Sequence, residues 1–143
     1  MKPARPTRVL FLCTHNSARS QIAEALLRRR GGDRFEVASA GSEPGERVHP
    51  LALRVIAELG ATPAGHRPKG FDAVFGREWD LVVTVCDDAL DACPVLPPGT
   101  RSTHWGLADP SRVAGSEAEK LAAFRATAQL LSERIEGLLA QKS

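Results

Sequence analysis

The sequence lacks the features that would place the protein in a membrane or on a nucleic acid. It has no run of about 18 apolar residues, the length that a membrane-spanning helix needs. Its 19 basic and 17 acidic residues leave a net charge of only +2, which is too small to indicate a nucleic-acid or membrane-surface partner. Internal repeats, low-complexity tracts and linkers are also missing. These absences predict a single domain spanning residues 1–143.

Cysteine is scarce as well, and the odd count of three argues against a disulfide framework. The apolar run that follows Lys2 and Arg5 is too short for a secretory signal peptide, so we expect a cytoplasmic protein. In a reducing compartment, thiols more often serve catalysis or metal binding than structure. Cys86 and Cys93 are not spaced as Cys-x2-Cys, and no histidine pair follows at zinc-finger spacing. We therefore expect neither a bound metal nor a cofactor.

The most informative stretch of the chain is residues 13–20, which we call the Cys13 loop. An apolar run at residues 9–12 precedes it and a segment with helical spacing follows, which predicts a strand, a tight loop and a helix start. Five mostly small or polar residues separate Cys13 from Arg19, a length that can curl around one tetrahedral oxyanion. The candidate oxyanion-binding residues are Thr14, His15, Asn16, Ser17, Ala18, Arg19 and Ser20.

Cys13 is the candidate nucleophile of this loop. The positive end of a helix dipole and a nearby guanidinium are expected to lower the pKa of its thiol and so populate the thiolate. Arg19 can grip two oxygens of a phosphate-like ion, and the Ser20 hydroxyl can donate to the thiolate. Asn16 tolerates a left-handed backbone and can brace the loop through its amide. A buried cysteine beside a solvated arginine is the alternative, but the strand and helix around the loop favour catalysis.

The remaining apolar patterns alternate between strands and helices. Strands are predicted at residues 8–12, 35–40, 80–85 and 101–105. Helices are predicted at residues 18–30, 50–59 and 116–139, with a short helix near residues 71–75. This alternation predicts the α/β class, with a four-stranded parallel sheet covered by helices on both faces. Ligands bind beyond the carboxyl ends of such strands, where Cys13 and Cys86 both lie.

Two more candidate residues, Cys86 and Cys93, follow the strand at residues 80–85. On an intact helix they would lie about 10 Å apart along the axis, whereas a disulfide needs Cα atoms within about 7 Å. Pairing them therefore requires this segment to be a loop or to unwind. A metal site, two structural cysteines or a redox relay would each explain them, and the Cys13 loop favours the relay.

Asp109, which precedes Pro110, is the candidate general acid. Attack of Cys13 on an oxyanion expels an oxygen, and a carboxylic acid over the loop can protonate it. Asp-Pro alone is a common turn element, so Asp109 gains weight only from the residues around it.

These motifs occur together along nearly the whole chain from about residue 8. They are residues 13–21, Ser39-Ala40-Gly41, residues 80–97, His104-Trp105-Gly106 and Asp109-Pro110. The set resembles the thioredoxin-coupled arsenate reductases, which are built on the low-molecular-weight protein tyrosine phosphatase fold. The Cys13 loop by itself does not separate the reductases from the phosphatases.

The resemblance implies a mechanism in which Cys13 attacks arsenate held by the loop amides and Arg19, while Asp109 protonates the departing hydroxyl. Cys86 then attacks Cys13 and releases arsenite, and Cys93 attacks Cys86 in turn. The resulting Cys86–Cys93 disulfide, exposed by unwinding of the segment, is reduced by thioredoxin.

A low-molecular-weight phosphotyrosine phosphatase that works through a phosphocysteine is the main alternative. Such phosphatases usually carry aromatic residues after the Asp-Pro, whereas Ser111-Arg112-Val113 follows here and the chain has no tyrosine. A binding module or sensor for oxyanions is a third interpretation, and it would not need Cys86 and Cys93.

Family members with a potassium site use an asparagine, a glutamate, a serine carbonyl and an acidic residue. Asn16, Glu24 and Ser39 match the first three, but Lys69 stands at the acidic position. Its ammonium could take the place of the cation, so we expect activity that does not depend on potassium. Other departures are His15 and Ala18, which replace a glycine and a cysteine of some members. His15 could add charge over the anion at low pH.

Overall fold

The computed structural model describes residues 5–86 and 96–141. Four parallel strands form one sheet in the order β2-β1-β3-β4. They are β1 (Thr7–Cys13), β2 (Phe35–Gly41), β3 (Leu81–Thr84) and β4 (Arg101–His104). The three α-helices of the described residues are α1 (Arg19–Gly31), α2 (Pro50–Glu58) and α3 (Glu117–Gln141). The predicted α/β fold class is therefore confirmed.

β1 is the central strand because its apolar run needs cover on both faces. Val9, Leu10, Phe11 and Leu12 are all fully buried. Val9 is paired with Val37 of β2 on one side and with Leu81 of β3 on the other. Continuous apolar runs of this kind are typical of strands inside parallel sheets. The register places the carboxyl ends of β1 and β3 at one edge of the sheet, where Cys13 and Cys86 leave the strands.

Helices α2 and α3 begin at residues whose local sequence predicts a helix start. Pro50 opens α2, and the His49 ring accepts a hydrogen bond from the Leu51 backbone N–H, 3.1 Å away. At the start of α3, the Ser116 hydroxyl accepts from the Glu119 N–H at 3.2 Å while the Glu119 carboxylate accepts from the Ser116 N–H at 3.3 Å. This is the reciprocal cap that the Ser-x-x-Glu spacing predicts.

The short helix predicted near residues 71–75 is a single 3-10 turn at Phe71–Ala73. Gly70 and Gly76 stand on either side of this segment and leave too few residues for a stable α-helical turn. Within residues 5–86 and 96–141, no helix has both the length and the apolar character needed to cross a membrane.

Candidate active site

The Cys13 loop joins the end of β1 to the start of α1. Ala18 stands at the N-cap position of α1 and contributes no side-chain hydrogen bond. The first-turn N–H groups of α1 therefore lack the side-chain cap that most helix starts have, and an anion can take its place. Asn16 has a φ of 52°, a left-handed conformation that asparagine tolerates.

Cys13 lies under this loop, 2% exposed, and its sulfur has two hydrogen-bond partners. Its Sγ is 2.7 Å from the Ser20 hydroxyl and 3.1 Å from the Asn16 backbone N–H, which donates to it. Burial raises the pKa of the Cys13 thiol, although the hydrogen bonds with Ser20 and Asn16 oppose that effect. The predicted lowering of this pKa is therefore wrong for the protein without a bound anion, because desolvation outweighs the donors.

The Arg19 guanidinium lies against residues 107–109, across the cavity from the Cys13 sulfur. It is therefore not among the groups that lower the pKa of the Cys13 thiol. Nη1 donates to the Leu107 carbonyl at 2.9 Å, and Nη2 lies 3.6 Å from Oδ2 of Asp109. The side chain is 11% exposed. Arg19 thus connects the Cys13 loop to residues 107–109, which the sequence separates by almost ninety positions.

Asp109 is placed at the mouth of the loop as the N-cap of the 3-10 helix Pro110–Arg112. Its Oδ1 accepts from the Ser111 N–H at 2.9 Å and from the Ser111 hydroxyl at 2.6 Å. Partial burial raises the pKa of Asp109, but the bonds from Ser111 and the charges of Arg19 and Arg112 outweigh it and lower the pKa below its ordinary range. The group is therefore a carboxylate at neutral pH in this state.

Cys86 enters the site from the end of β3. It is buried, and its Sγ lies 3.3 Å from the hydroxyl of Thr14, the residue after Cys13. Cys13 and Cys86 are both free thiols. Cys93, the third cysteine of the predicted relay, lies outside the described residues.

A cavity of about 240 Å³ opens over the loop. Its lining residues are Thr14, His15, Arg19, Cys86, Leu107, Asp109 and Arg112. A phosphate-sized anion fits such a volume, and two arginines give the cavity positive charge. Nδ1 of His15 lies 3.0 Å from the carbonyl oxygen of Glu43. The cavity thus brings together Arg19, Asp109 and Cys86, three of the predicted catalytic residues.

Two of the residues compared above with a potassium site, Ser39 and Lys69, lie beside the buried carboxylate of Glu24. Oε1 accepts from the Ser39 hydroxyl at 2.7 Å and lies 3.9 Å from Nζ of Lys69. Arg28 adds a second cation, with Nη1 3.2 Å from Oε2. Burial lowers the pKa of the Lys69 ammonium, and the neighbouring Glu24 opposes that shift. Among residues 5–86 and 96–141, no three His, Cys, Asp or Glu side chains converge as metal ligands.

Sequence reasoning missed Gln21 and His66, which contact each other beneath the loop. The sequence gives Gln21 little signal, because α1 carries several other polar and charged side chains, yet the structure buries Gln21 completely. His66 lies in a segment rich in glycine and proline, where nothing local indicates a partner 45 positions away.

The family model of the low molecular weight phosphotyrosine protein phosphatases matches residues 8–143. An arsenate reductase of Bacillus subtilis is 39% identical over 127 residues, which cover 89% of this chain and 91% of that protein. The chain belongs to the arsenate reductases of the low-molecular-weight phosphatase family. The resemblance stated from the sequence is thereby confirmed at the level of the family.

Solved structures of this phosphatase family extend the comparison. A thioredoxin-dependent arsenate reductase of Corynebacterium glutamicum is 33% identical with a TM-score of 0.69, and the match covers 93% of this chain and 63% of that one. A tyrosine phosphatase of Erwinia amylovora is 22% identical with a TM-score of 0.78, over 99% of this chain and 96% of that one. At that identity the second likeness shows the fold alone.

Proposed function

We propose that the protein reduces arsenate to arsenite, with Cys13 as nucleophile and Cys86 as the thiol that completes the two-electron transfer. One observation carries this proposal: Cys86 is a buried thiol beside Thr14, on the cavity that Arg19 also lines. A phosphatase needs one thiol, a guanidinium and an acid, whereas a thiol-based reduction needs a second thiol within reach.

In the first step, the Cys13 thiol releases its proton to solvent, and the resulting thiolate attacks the arsenic of bound arsenate. An S–As bond forms, an As–O bond breaks, and the departing hydroxyl takes a proton from Asp109 and leaves as water. The bound dianion engages Arg19, which removes one of the charges that keep the pKa of Asp109 low. Binding of the substrate therefore favours the protonated acid that this step requires.

In the second step, the thiolate of Cys86 attacks Sγ of Cys13. An S–S bond forms, the S–As bond breaks, and its electron pair stays on arsenic, which leaves as arsenite. The arsenic gains two electrons and the two sulfurs lose two. The Thr14 hydroxyl, 3.3 Å from Sγ of Cys86, can donate a hydrogen bond to that thiolate.

Cys93 completes the proposed cycle by attacking Cys86, which restores Cys13 and leaves a Cys86–Cys93 disulfide. A thioredoxin dithiol then reduces this disulfide by thiol–disulfide exchange. The similarity to the thioredoxin-dependent reductase of Corynebacterium glutamicum supports this choice of electron donor.

The test is arsenate-dependent oxidation of NADPH in the presence of thioredoxin and thioredoxin reductase. Cys13→Ser, Cys86→Ser and Cys93→Ser are each expected to abolish turnover, whereas wild type turns over many times. Turnover that survives in Cys93→Ser would contradict the thioredoxin relay and indicate a small-thiol donor.

Phosphate ester hydrolysis is the second candidate function. It would use the same three residues as the reduction, Cys13, Arg19 and Asp109, which favours it as a side activity. Phosphate and arsenate share their shape and charge, so the same residues can form a phosphocysteine. Cys86→Ser and Cys93→Ser are expected to keep the hydrolysis of p-nitrophenyl phosphate, while Cys13→Ser loses it. Wild-type protein that hydrolyses this ester but never reduces arsenate would make the phosphatase the primary function.

A further inference from the structure

Gln21 is fully buried in the first turn of α1, and the chemistry proposed above gives it no role. Its Nε2 lies 3.0 Å from the carbonyl oxygen of Asn16, 3.0 Å from Oδ1 of the same residue and 2.8 Å from the carbonyl oxygen of Arg67. Its Oε1 lies 2.8 Å from Nδ1 of His66. Every polar atom of this amide is therefore engaged by the loop or by the segment that packs against it.

The partners fix the direction of these hydrogen bonds. The backbone carbonyls of Asn16 and Arg67 only accept, so the nitrogen end of the Gln21 amide must face them. Its oxygen end then faces His66 and also only accepts. Nδ1 of His66 must therefore carry a proton, in the neutral ring as well as in the charged one.

The next hydrogen bonds lead from Asn16 through Ser20 to the sulfur of Cys13. The Lys69 backbone N–H donates to Oδ1 of Asn16 at 2.9 Å, which leaves Nδ2 of Asn16 to donate to the Ser20 hydroxyl at 2.8 Å. A thiolate only accepts hydrogen bonds, so once Cys13 has lost its proton the Ser20 hydroxyl must donate to Sγ, 2.7 Å away. The donors from His66 through to Ser20 all point one way, toward the nucleophile.

We propose that Gln21 and His66 are positioning residues that hold this hydrogen-bond chain in the direction that places the Ser20 proton on the Cys13 sulfur. This deepens the proposed function, since it rests on Cys13 being the nucleophile. Hydrogen bonds in a buried chain polarise one another, and those that end on an anion are the strongest. Without His66 the oxygen of the Gln21 amide loses its buried donor, and only the acceptors on Asn16 and Arg67 still hold the amide in place.

Three charged groups face the His66 ring. Glu24 has Oε2 4.0 Å from Nδ1, and Arg28 and Lys69 lie on the two segments around the ring. Because the neutral ring already supplies the Nδ1 proton, the chain does not require a charged histidine. Replacement by another neutral donor should therefore preserve it.

The test uses the Cys86→Ser, Cys93→Ser double variant, in which Cys13 is the remaining thiol. The thiolate is titrated by its ultraviolet absorbance, and its reactivity is measured as the rate of alkylation by iodoacetamide at neutral pH. Gln21→Met keeps the length of the side chain but removes the amide and is expected to slow alkylation roughly fivefold, the equivalent of one net hydrogen bond. His66→Phe should slow it about two- to threefold, because one link is lost and the Lys69 N–H still holds Asn16.

His66→Asn is the matched control, since its side-chain nitrogen can stand where Nδ1 stands and donate to Gln21. It should restore the wild-type titration and alkylation rate, whereas a purely structural histidine would give no such rescue. Wild-type titrations in folded His66→Phe and Gln21→Met would overturn the proposal, as would equal defects in His66→Phe and His66→Asn. If Gln21→Met fails to fold, the two His66 variants decide.

These measurements do not involve arsenate, so they remain decisive if the reductase assay fails. Conversely, an active reductase whose Cys13 titration ignores both residues would contradict this inference and leave the proposed function standing.

Discussion

The two walls of the cavity hold their reactive groups in different ways. The Cys13 loop is buried and braced by uncharged donors, with Asn16 and Ser20 fully inaccessible to solvent. The opposite wall holds Asp109 between two arginines, and the side chain of Arg112 is 83% exposed. Neutral donors in a buried loop change little when an anion enters, whereas charged pairs at a mouth must rearrange. We therefore expect the proposed nucleophile to be positioned in advance and the proposed acid to respond to the bound anion.

Replacement of Arg19 should cause the largest loss of activity, because this residue of the Cys13 loop also contacts Leu107 and lies beside Asp109 on the opposite wall. Arg19→Lys keeps the charge but cannot bind two oxygens and the Leu107 carbonyl together. We expect kcat/KM for arsenate to fall about 10³-fold, as when a major oxyanion contact is removed. The control is Arg125→Lys, which changes an exposed pair with Glu58 away from the site and should leave kcat/KM unchanged. A loss below tenfold in Arg19→Lys would show that the loop amides suffice.

The acid on the exposed wall should give a somewhat smaller loss. Asp109→Asn keeps an acceptor for the Ser111 N–H but has no proton to deliver, so arsenate turnover should fall about 10²-fold. Alkylation of Cys13 by iodoacetamide needs no general acid and should proceed at the wild-type rate. Unequal effects on the two reactions would support the separation of the walls, and equal effects would contradict it.

Ser20→Ala tests the buried wall alone. It removes the hydroxyl that lies 2.7 Å from the sulfur and leaves the Asn16 amide without its acceptor. The hydrogen bond with Ser20 lowers the pKa of Cys13, so its loss should raise that pKa further and slow alkylation at neutral pH about tenfold. The measurement is the rate against pH, where the variant curve should shift to higher pH with an unchanged plateau. A lower plateau at the same midpoint would indicate blocked access instead.

The pH dependence of stability gives a weaker test of the exposed wall. The pKa of Asp109 is lowered in the folded protein, so its charged partners stabilise the fold above the unfolded pKa, and this contribution is lost as pH falls through the folded pKa. Wild type should exceed Asp109→Asn by about 0.5 kcal/mol in the free energy of unfolding at neutral pH, the scale of an exposed ion pair. Urea unfolding at several pH values should show the difference vanish in acid. A difference in unfolding free energy that grows as the pH falls would contradict this prediction.

Local signals predicted the scaffold of the buried wall well. The apolar run of β1 and the Ser116 cap of α3 depend on neighbouring residues, so local patterns predict them. The pKa of Cys13 depends on how much protein covers it, which a motif does not show. The link from Gln21 to His66 spans 45 positions and depends on how a loop packs on α1. Pattern reasoning thus proposed candidate reactive groups and missed the buried residues that contact the Cys13 loop from below.

The smallest expected effect concerns the cation environment of Glu24, next to the buried wall. Nζ of Lys69 lies 3.9 Å from Oε1 of Glu24 and donates to the Arg67 carbonyl at 3.2 Å, so an ammonium already provides positive charge there. We expect arsenate turnover to differ by less than about twofold between potassium and sodium at equal ionic strength, because the Lys69 ammonium leaves little for a bound cation to add beside Glu24. Lys69→Asp removes the ammonium and adds an oxygen ligand suited to a hard cation, and it should acquire a potassium effect. A clear rate gain from potassium in wild type would show that Lys69 does not replace the ion.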